Sequence, residues 1–395
     1  MRSLPRPIWI AFAATLVHRS GTMALPFLVL YLTEERRLPA ETAGWTLGVY
    51  GAGSLLAGPL AGWLVSRVGA RAVMVVSLLG TAVALGLVPT LTSMYAVIGL
   101  VAVWSVIGES FRPACFAVVA DLVEPEHRRE AFAVLRLAVN LGMSIGPALG
   151  GGLAAISYSL LFAVDAGTSL LAAAVLALPV ARSLAVRPVT GPTRDRVGAG
   201  ARWPFALHLL ATGLVAMVAF QAISTMPLYM VDELSLSPAV YGAAFAFSGV
   251  LIVLFEVPFT SLSRRWPHRP LLVFGAAVTG LGFAGLALVH DVPGVLAITA
   301  IWTLGEILLG PAAAARVADL EPPHARGLYM GIYNAVWSAA FAVGPWLGTK
   351  SLTSFGPITH WSLVGAVGLA GGIADALAPP ASDRAPPGGG PGRPP

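Results

Sequence analysis

Long apolar runs broken by short polar or Pro/Gly-containing stretches pattern the chain almost from end to end. A helix of about 20 apolar residues crosses a hydrocarbon core of roughly 30 Å. Runs of that length predict about 12 spans, over 8–32, 42–65, 72–90, 95–120, 131–156, 159–180, 204–230, 239–262, 271–289, 294–315, 327–347 and 358–377. The short alternating segments of a membrane β-barrel are missing from the pattern. The predicted class is therefore an all-α integral membrane protein, with the lipid bilayer as its solvent.

Composition sharpens this reading. Of the residues, 56% are hydrophobic and 11% charged, and the mean hydropathy is +0.79, against roughly 25% charged in soluble domains. The net charge of +5 does not point to nucleic acid, because the basic residues lie between spans rather than in an aromatic-interleaved patch. They report topology instead. Alternate loops collect Arg67, Arg71, Arg128, Arg129, Arg182, Arg264 and Arg265 on one side, and only Arg36, Arg37 and Lys350 on the other. The positive-inside rule then puts the first side and both termini in the cytoplasm. A plasma (bacterial inner) membrane is the expected location, with a monomer as the working unit.

The chain also repeats itself. Val119-Ala120-Asp121-Leu122 returns as Val317-Ala318-Asp319-Leu320, Gly108-Glu109 as Gly305-Glu306, and Gly146-Pro147 as Gly344-Pro345. Two repeats of the same orientation imply a pseudo-two-fold axis along the membrane normal. The predicted organisation is two six-helix halves, 1–180 and 204–377, an arginine-rich cytoplasmic linker at 181–203, and a Pro/Gly-rich disordered tail at 378–395.

Two motifs carry a family resemblance. Gly62-Trp63-Leu64-Val65-Ser66-Arg67-Val68-Gly69-Ala70-Arg71 is similar to the loop 2-3 signature of the major facilitator superfamily. Ser66 stands where that family has Asp, so the contact implied for that acid in the outward-facing state is in question here. Gly142-Met143-Ser144-Ile145-Gly146-Pro147-Ala148-Leu149-Gly150-Gly151 resembles the fifth-helix motif of the drug/proton antiporter branch. Glycines four residues apart let helices approach closely, and proline removes a backbone hydrogen bond. The resemblance spans nearly the whole chain and implies alternating access powered by a proton gradient, with no bound cofactor.

Charges inside spans are costly, about 2.5–3.5 kcal/mol each at the bilayer centre, so each invites a role. They are Arg19, Glu109, Arg112, Arg136 and Asp165, then Glu256, Glu306 and Arg316. Three residues separate Glu109 from Arg112, which predicts a pair on one helix face. Glu109 is the first candidate for the exchangeable proton, coupled to Arg112 and Arg19. Glu306 occupies the equivalent second-half position without such a partner and is the runner-up, ahead of Glu256. Arg136 is expected to snorkel or to meet Asp121 or Glu124. Asp165, Asn140, Gln221, Asn334 and Trp337 are candidates for the substrate cavity, although interhelical glue is an equally ordinary use of such groups. The lone Cys115 is expected to be a small core residue.

The spans offer few polar groups to face a cavity, which favours efflux of a hydrophobic small molecule in exchange for protons. Proton-driven uptake of a metabolite is the alternative within the fold, and a non-transporting membrane sensor the alternative outside it. Zincin, nucleophile-elbow and phosphate-loop motifs do not occur, so no enzyme is expected.

Overall fold

In the computed structural model, residues 4–124, 127–178, 202–263, 266–320 and 326–378 are described. The predicted linker and tail lie outside these residues, except for Arg202, Trp203 and Ala378. All regular structure among the described residues is helical: α1 (Arg6–Gly21), α2 (Ala24–Leu30), α3 (Ala40–Val68), α4 (Ala70–Leu87), α5 (Met94–Glu109), α6 (Phe111–Leu122), α7 (Arg128–Ala154), α8 (Tyr158–Ala177), α9 (Arg202–Ala219), α10 (Thr225–Leu228), α11 (Pro238–Leu262), α12 (His268–Gly285), α13 (Val292–Leu320) and α14 (Arg326–Leu377). Among the described residues, eleven helical stretches are long and apolar enough to cross a membrane. The protein is a multi-pass integral membrane protein.

The count differs from the sequence expectation at one place. The predicted spans 327–347 and 358–377 run together as α14, interrupted at Gly356 (φ 77°, ψ 170°) just before Pro357. The polar stretch between them stays helical because its hydroxyls accommodate the backbone. Thr349 donates to the Pro345 carbonyl at 3.0 Å and Ser351 to that of Gly348 at 3.0 Å. Only glycine takes a positive φ at that junction without strain.

Helix breaks follow prolines. A proline ring clashes with the carbonyl four residues earlier, and Pro26 does so just after the turn that separates α1 from α2. Pro113 faces the Glu109 carbonyl in the same way, and α5 gives way to α6 at Ser110. A backbone device also recurs 198 positions apart: π-helical turns at Tyr31–Glu35 and Tyr229–Glu233, each followed by a positive-φ residue, Arg37 (55°) and Ser235 (54°). In both copies the tyrosine hydroxyl donates to a distant carbonyl at 3.4 Å, that of Val88 or Val289.

The buried apolar residues show where the bundle is closed. At the end carrying these π turns, one continuous cluster joins residues of α2, α3 and α8 to residues of α10, α11, α13 and α14. Toward the arginine-rich end, the core divides. One cluster belongs to α1, α4, α6, α7 and α8, and a separate one to α9, α12, α13 and α14. The N-terminal helices (α1–α8) and the C-terminal helices (α9–α14) are thus welded at the π-turn end. The joints are α3 against α14 and α7 against α11. In lipid, such association rests on close packing and hydrogen bonds rather than on hydrophobic burial. The Tyr241 hydroxyl adds a polar tie, donating across the joint to the Pro26 carbonyl at 3.2 Å.

Candidate functional site

The expected Glu109–Arg112 pair is not formed. The helix break at Ser110 falls between them, so the three-residue spacing no longer places both on one face. Glu109 instead accepts a hydrogen bond from the Tyr50 hydroxyl at 2.9 Å, and Tyr50 packs edge-on to Trp104 with centroids 5.0 Å apart. Arg112 is exposed and reaches over the Phe116 ring, 5.5 Å from its centroid. It has no carboxylate within ion-pair distance among the described residues. The Nε of Arg19 is buried without a hydrogen-bond partner, and Arg112 lies within electrostatic range of both Arg19 and Glu109.

Asp165 and Gln221 are not cavity residues. Asp165 is 3% exposed, and its Oδ2 accepts from the backbone N–H groups of Met23 and Ala24 at 3.1 and 2.9 Å. Ala24 opens α2, where no carbonyl of that helix is available to its amide, while the Met23 amide also reaches the Gly21 carbonyl at 2.6 Å. An ionised acceptor there is charge-assisted. Asp165→Ala is expected to leave the buried Ala24 amide unpaired, at about 1–3 kcal/mol, and Met23 with its Gly21 contact alone. A thermal melt of purified protein should fall by several degrees, with Asp165→Asn intermediate. Gln221, 4% exposed, donates to the carbonyls of Met217 at 2.9 Å and Gly344 at 3.2 Å and accepts from Ser224 and Thr225. Its amide and carbonyl are both engaged, three of the bonds within 217–225 and one tying this stretch to α14 at Gly344. Asn334 is exposed and donates to the Met330 carbonyl one turn back at 2.8 Å; it does not line the cavity described next.

A cavity of about 280 Å³ opens between α7 and the C-terminal helices. Of the residues singled out in the sequence, the cavity candidates Asn140 and Trp337 and the proton candidate Glu306 line it, and so do Arg136, Glu256, His208, Tyr333 and Asp375. Arg136 forms an ion pair with Glu256 across the α7–α11 joint rather than with Glu124; the side chain of Asp121 lies outside what is described. Asn140 supports the pair, donating to the other Glu256 oxygen at 3.2 Å. Glu306 has no hydrogen-bond or ion-pair partner among the described residues. Tyr333 lies within electrostatic range of Arg112, which brings the arginine pair of the N-terminal helices toward the same space. The lining is therefore more polar than the sequence pattern led one to expect.

His208 and Asp375 were missed. The sequence carried a signal for both, since a histidine and an aspartate interrupt apolar runs that are otherwise free of charge at those points. Their meaning depends on pairing across 167 positions. No group of histidine, cysteine and acidic side chains able to hold a metal ion occurs among the described residues.

A polytopic helical bundle with a charged cavity between two sets of helices is the geometry of a carrier, and comparison with known proteins agrees. The model described as Major Facilitator Superfamily matches residues 10–226 and 209–394. The chain belongs to the major facilitator superfamily. It is 24% identical over 380 residues to the uncharacterized MFS-type transporter YqjV of Bacillus subtilis, covering 92% of this chain and 91% of that protein. It is 26% identical over 271 residues to the multidrug resistance protein MdtH of Escherichia coli, covering 66% of each. Among solved structures, a POT family transporter in complex with 5-aminolevulinic acid superposes with a TM-score of 0.83 at 14% identity, covering 94% of this chain and 96% of that one. The peptide transporter POT in complex with sulfate gives 0.79 at 17%, covering 94% of each. These two likenesses concern the fold.

As a major facilitator protein the chain is a secondary active transporter and not an enzyme. Its family motifs take up definite positions. Gly142, Gly146 and Gly150 bring α7 against the backbone and side chains of Arg19–Met23 and Phe27, so the motif holds the broken first span beside Arg19. Gly151, next along, lies against Gly242 of α11. In the other motif Gly62 faces open space, and the Ser66 hydroxyl is spent on the Trp63 carbonyl at 2.7 Å. Arg67 lies over the Trp63 ring, 4.5 Å from its centroid. Gly69 makes the turn into α4 at φ 85°. Arg71 donates to the carbonyls of Leu176 at 2.8 Å and Ala177 at 3.1 Å, placing a cation at the negative end of α8.

Proposed function

We infer that this transporter takes up a small, water-soluble solute bearing both a negative and a positive group, together with protons. One observation carries the reading: Glu306 lines the cavity with no hydrogen-bond or ion-pair partner among the described residues, while Arg112, from the N-terminal helices and also without a carboxylate partner, lies within electrostatic range of the cavity residue Tyr333. An unpaired charge inside a bundle is expensive, and an amphoteric solute arriving with its coupled proton would satisfy both at once. Glu306 binds the coupled proton in the solute-loaded form and gives it up with the solute on the inner side, Arg19 and Arg112 hold the anionic group, and Asn140, Tyr333 and Trp337 position the rest. Glu109, held by Tyr50, is a second proton candidate. A solute that needs charged groups for recognition does not enter through lipid and has to be accumulated against its gradient, which favours uptake.

In this reading α14 supplies two spans, separated at Gly356, for twelve in all. The spans form two six-helix halves at 1–180 and 204–377, and the paired π turns 198 positions apart support that duplication. Residues 181–203 are the linker and 378–395 the tail. By the positive-inside rule the arginine-rich end and both termini are cytoplasmic, in a bacterial plasma membrane. The divided core at that end then makes this an inward-open state, and the two halves rock about the cavity as a monomer.

Efflux of hydrophobic compounds by proton exchange is the second reading. The likeness to a multidrug resistance protein and the glycine motif at Gly142–Gly151 favour it. Proteoliposomes with an inside-alkaline pH gradient separate the two. Accumulation of labelled amino acids or short peptides supports uptake of an amphoteric solute. Collapse of the gradient in inverted vesicles by hydrophobic cations, with no accumulation of any amphoteric solute, overturns it in favour of efflux.

A further inference from the structure

His208 and Asp375 face each other on α9 and α14 at the cavity wall, 0% and 6% exposed. The His208 Nδ1 lies 2.8 Å from Asp375 Oδ1, and its Nε2 lies 3.2 Å from the Ala313 carbonyl oxygen on α13. Tyr333 lies parallel to the imidazole, 7° between planes and 6.4 Å between centroids. A carbonyl oxygen only accepts, and so does an ionised carboxylate. Neutral imidazole has a single N–H. With Asp375 ionised and His208 neutral, one of the two contacts would therefore set lone pair against lone pair in a dry site, where unsatisfied polar atoms are costly. One added proton removes the conflict. It makes either an imidazolium against a carboxylate, or a neutral imidazole that donates from Nε2 to Ala313 and accepts at Nδ1 from a protonated Asp375. Both forms hold one proton more than the separated neutral histidine and aspartate.

We propose that His208 and Asp375 form a proton-loading site distinct from Glu109 and Glu306, holding one exchangeable proton between Nδ1 and Oδ1. The proton is taken from cavity water and returned to it. When it leaves, the remaining N–H serves one partner only, so either the α9–α13 contact at Ala313 or the α9–α14 contact at Asp375 is given up. Loading thus tightens three helices around the cavity, and unloading frees one joint. The other charged and titratable groups around the pair are Glu306 on α13, Tyr333 on α14, and Arg136 of α7 with Glu256 of α11, which neutralise each other. Arg316 follows Ala313 by three residues on α13 and is buried.

The test needs no transported solute. Full-length protein with ¹⁵N-labelled histidine, in lipid nanodiscs, is titrated across about pH 5 to 8, reading ring nitrogens by NMR and carboxyl groups by infrared difference spectroscopy. His208→Gln assigns one of the seven histidines. The expected result is a single titration in which the His208 ring goes from two N–H groups to one, or a carboxylic acid signal disappears. Asp375→Asn, nearly isosteric, should abolish it. A ring locked in one state with no titrating carboxyl group overturns the proposal, as does a titration that Asp375→Asn leaves unchanged.

Discussion

Gly242→Ala is expected to impair alternation strongly while leaving the protein folded in the membrane, and Gly242→Leu to do so more severely. A Cβ at Gly242 would run into the Pro147 carbonyl oxygen and would lie 2.8 Å from Gly151 Cα. Both obstacles are backbone, so no side-chain rotation relieves them. The clash exists only when α7 and α11 are joined at the π-turn end, so the variant disfavours that state and spares any state in which the joint is open. Overpacking costs typically about 1–3 kcal/mol, and a differential of that size shifts a two-state balance by about 5- to 150-fold. Transport in proteoliposomes should drop by that order. A cysteine in place of the exposed Thr353, at the same end, should become faster to label in the Gly242→Ala background. Unchanged labelling with normal transport would show that the joint does not have to close this tightly.

The joint repeats with altered chemistry. At the α3–α14 joint Gly44 meets Thr349, and Gly48 packs so that a Cβ would come within 2.5 Å of the Ala342 carbonyl oxygen. One joint is thus glycine on glycine and the other glycine on threonine, with the hydroxyl already turned back onto its own helix. In the proposed two-half arrangement, the packing geometry is kept while the polar content differs between the halves. Arg19, Glu109 and Arg112 stand in the first half, and Glu306, His208 and Asp375 in the second.

What the sequence made legible was whatever depends on one segment at a time. The length of each apolar run sets a span, and the observed stretches agree within a few residues, as at 203–233 against the predicted 204–230. The glycine spacing at Gly142–Gly150 announced close helix approach, which α1 supplies. Relations between segments were not legible. Asp165 looked like a cavity group because its partners are the backbone amides after a break in a helix 141 and 142 positions away, and nothing local to Asp165 records that break. Arg136 looked like a snorkelling residue because Glu256, its partner, sits 120 positions further on. The Glu109–Arg112 error had a readable cause. Pro113, one residue past Arg112, disturbs the helix at the Glu109 carbonyl, a break that the three-residue spacing alone does not record.

Glu306→Gln is the substitution expected to separate transport from its energy source. Glutamine keeps the size and hydrogen-bonding oxygen of the side chain but can neither bind nor release a proton. It also removes a charge that costs about 2.5–3.5 kcal/mol on insertion scales when held near the bilayer centre, so the variant should be no less stable than the parent. If Glu306 carries the coupled proton, accumulation driven by a pH gradient should vanish while exchange of solute across the membrane without a gradient continues. If Glu306 instead only contacts the positive group of the solute, both activities should fall together, with weakened binding as the cause. Glu109→Gln is the internal control, because Tyr50 already satisfies that carboxylate. A variant at Glu109 that loses accumulation, beside a Glu306→Gln protein that keeps it, would move the proton to the N-terminal helices and leave Glu306 as a recognition group.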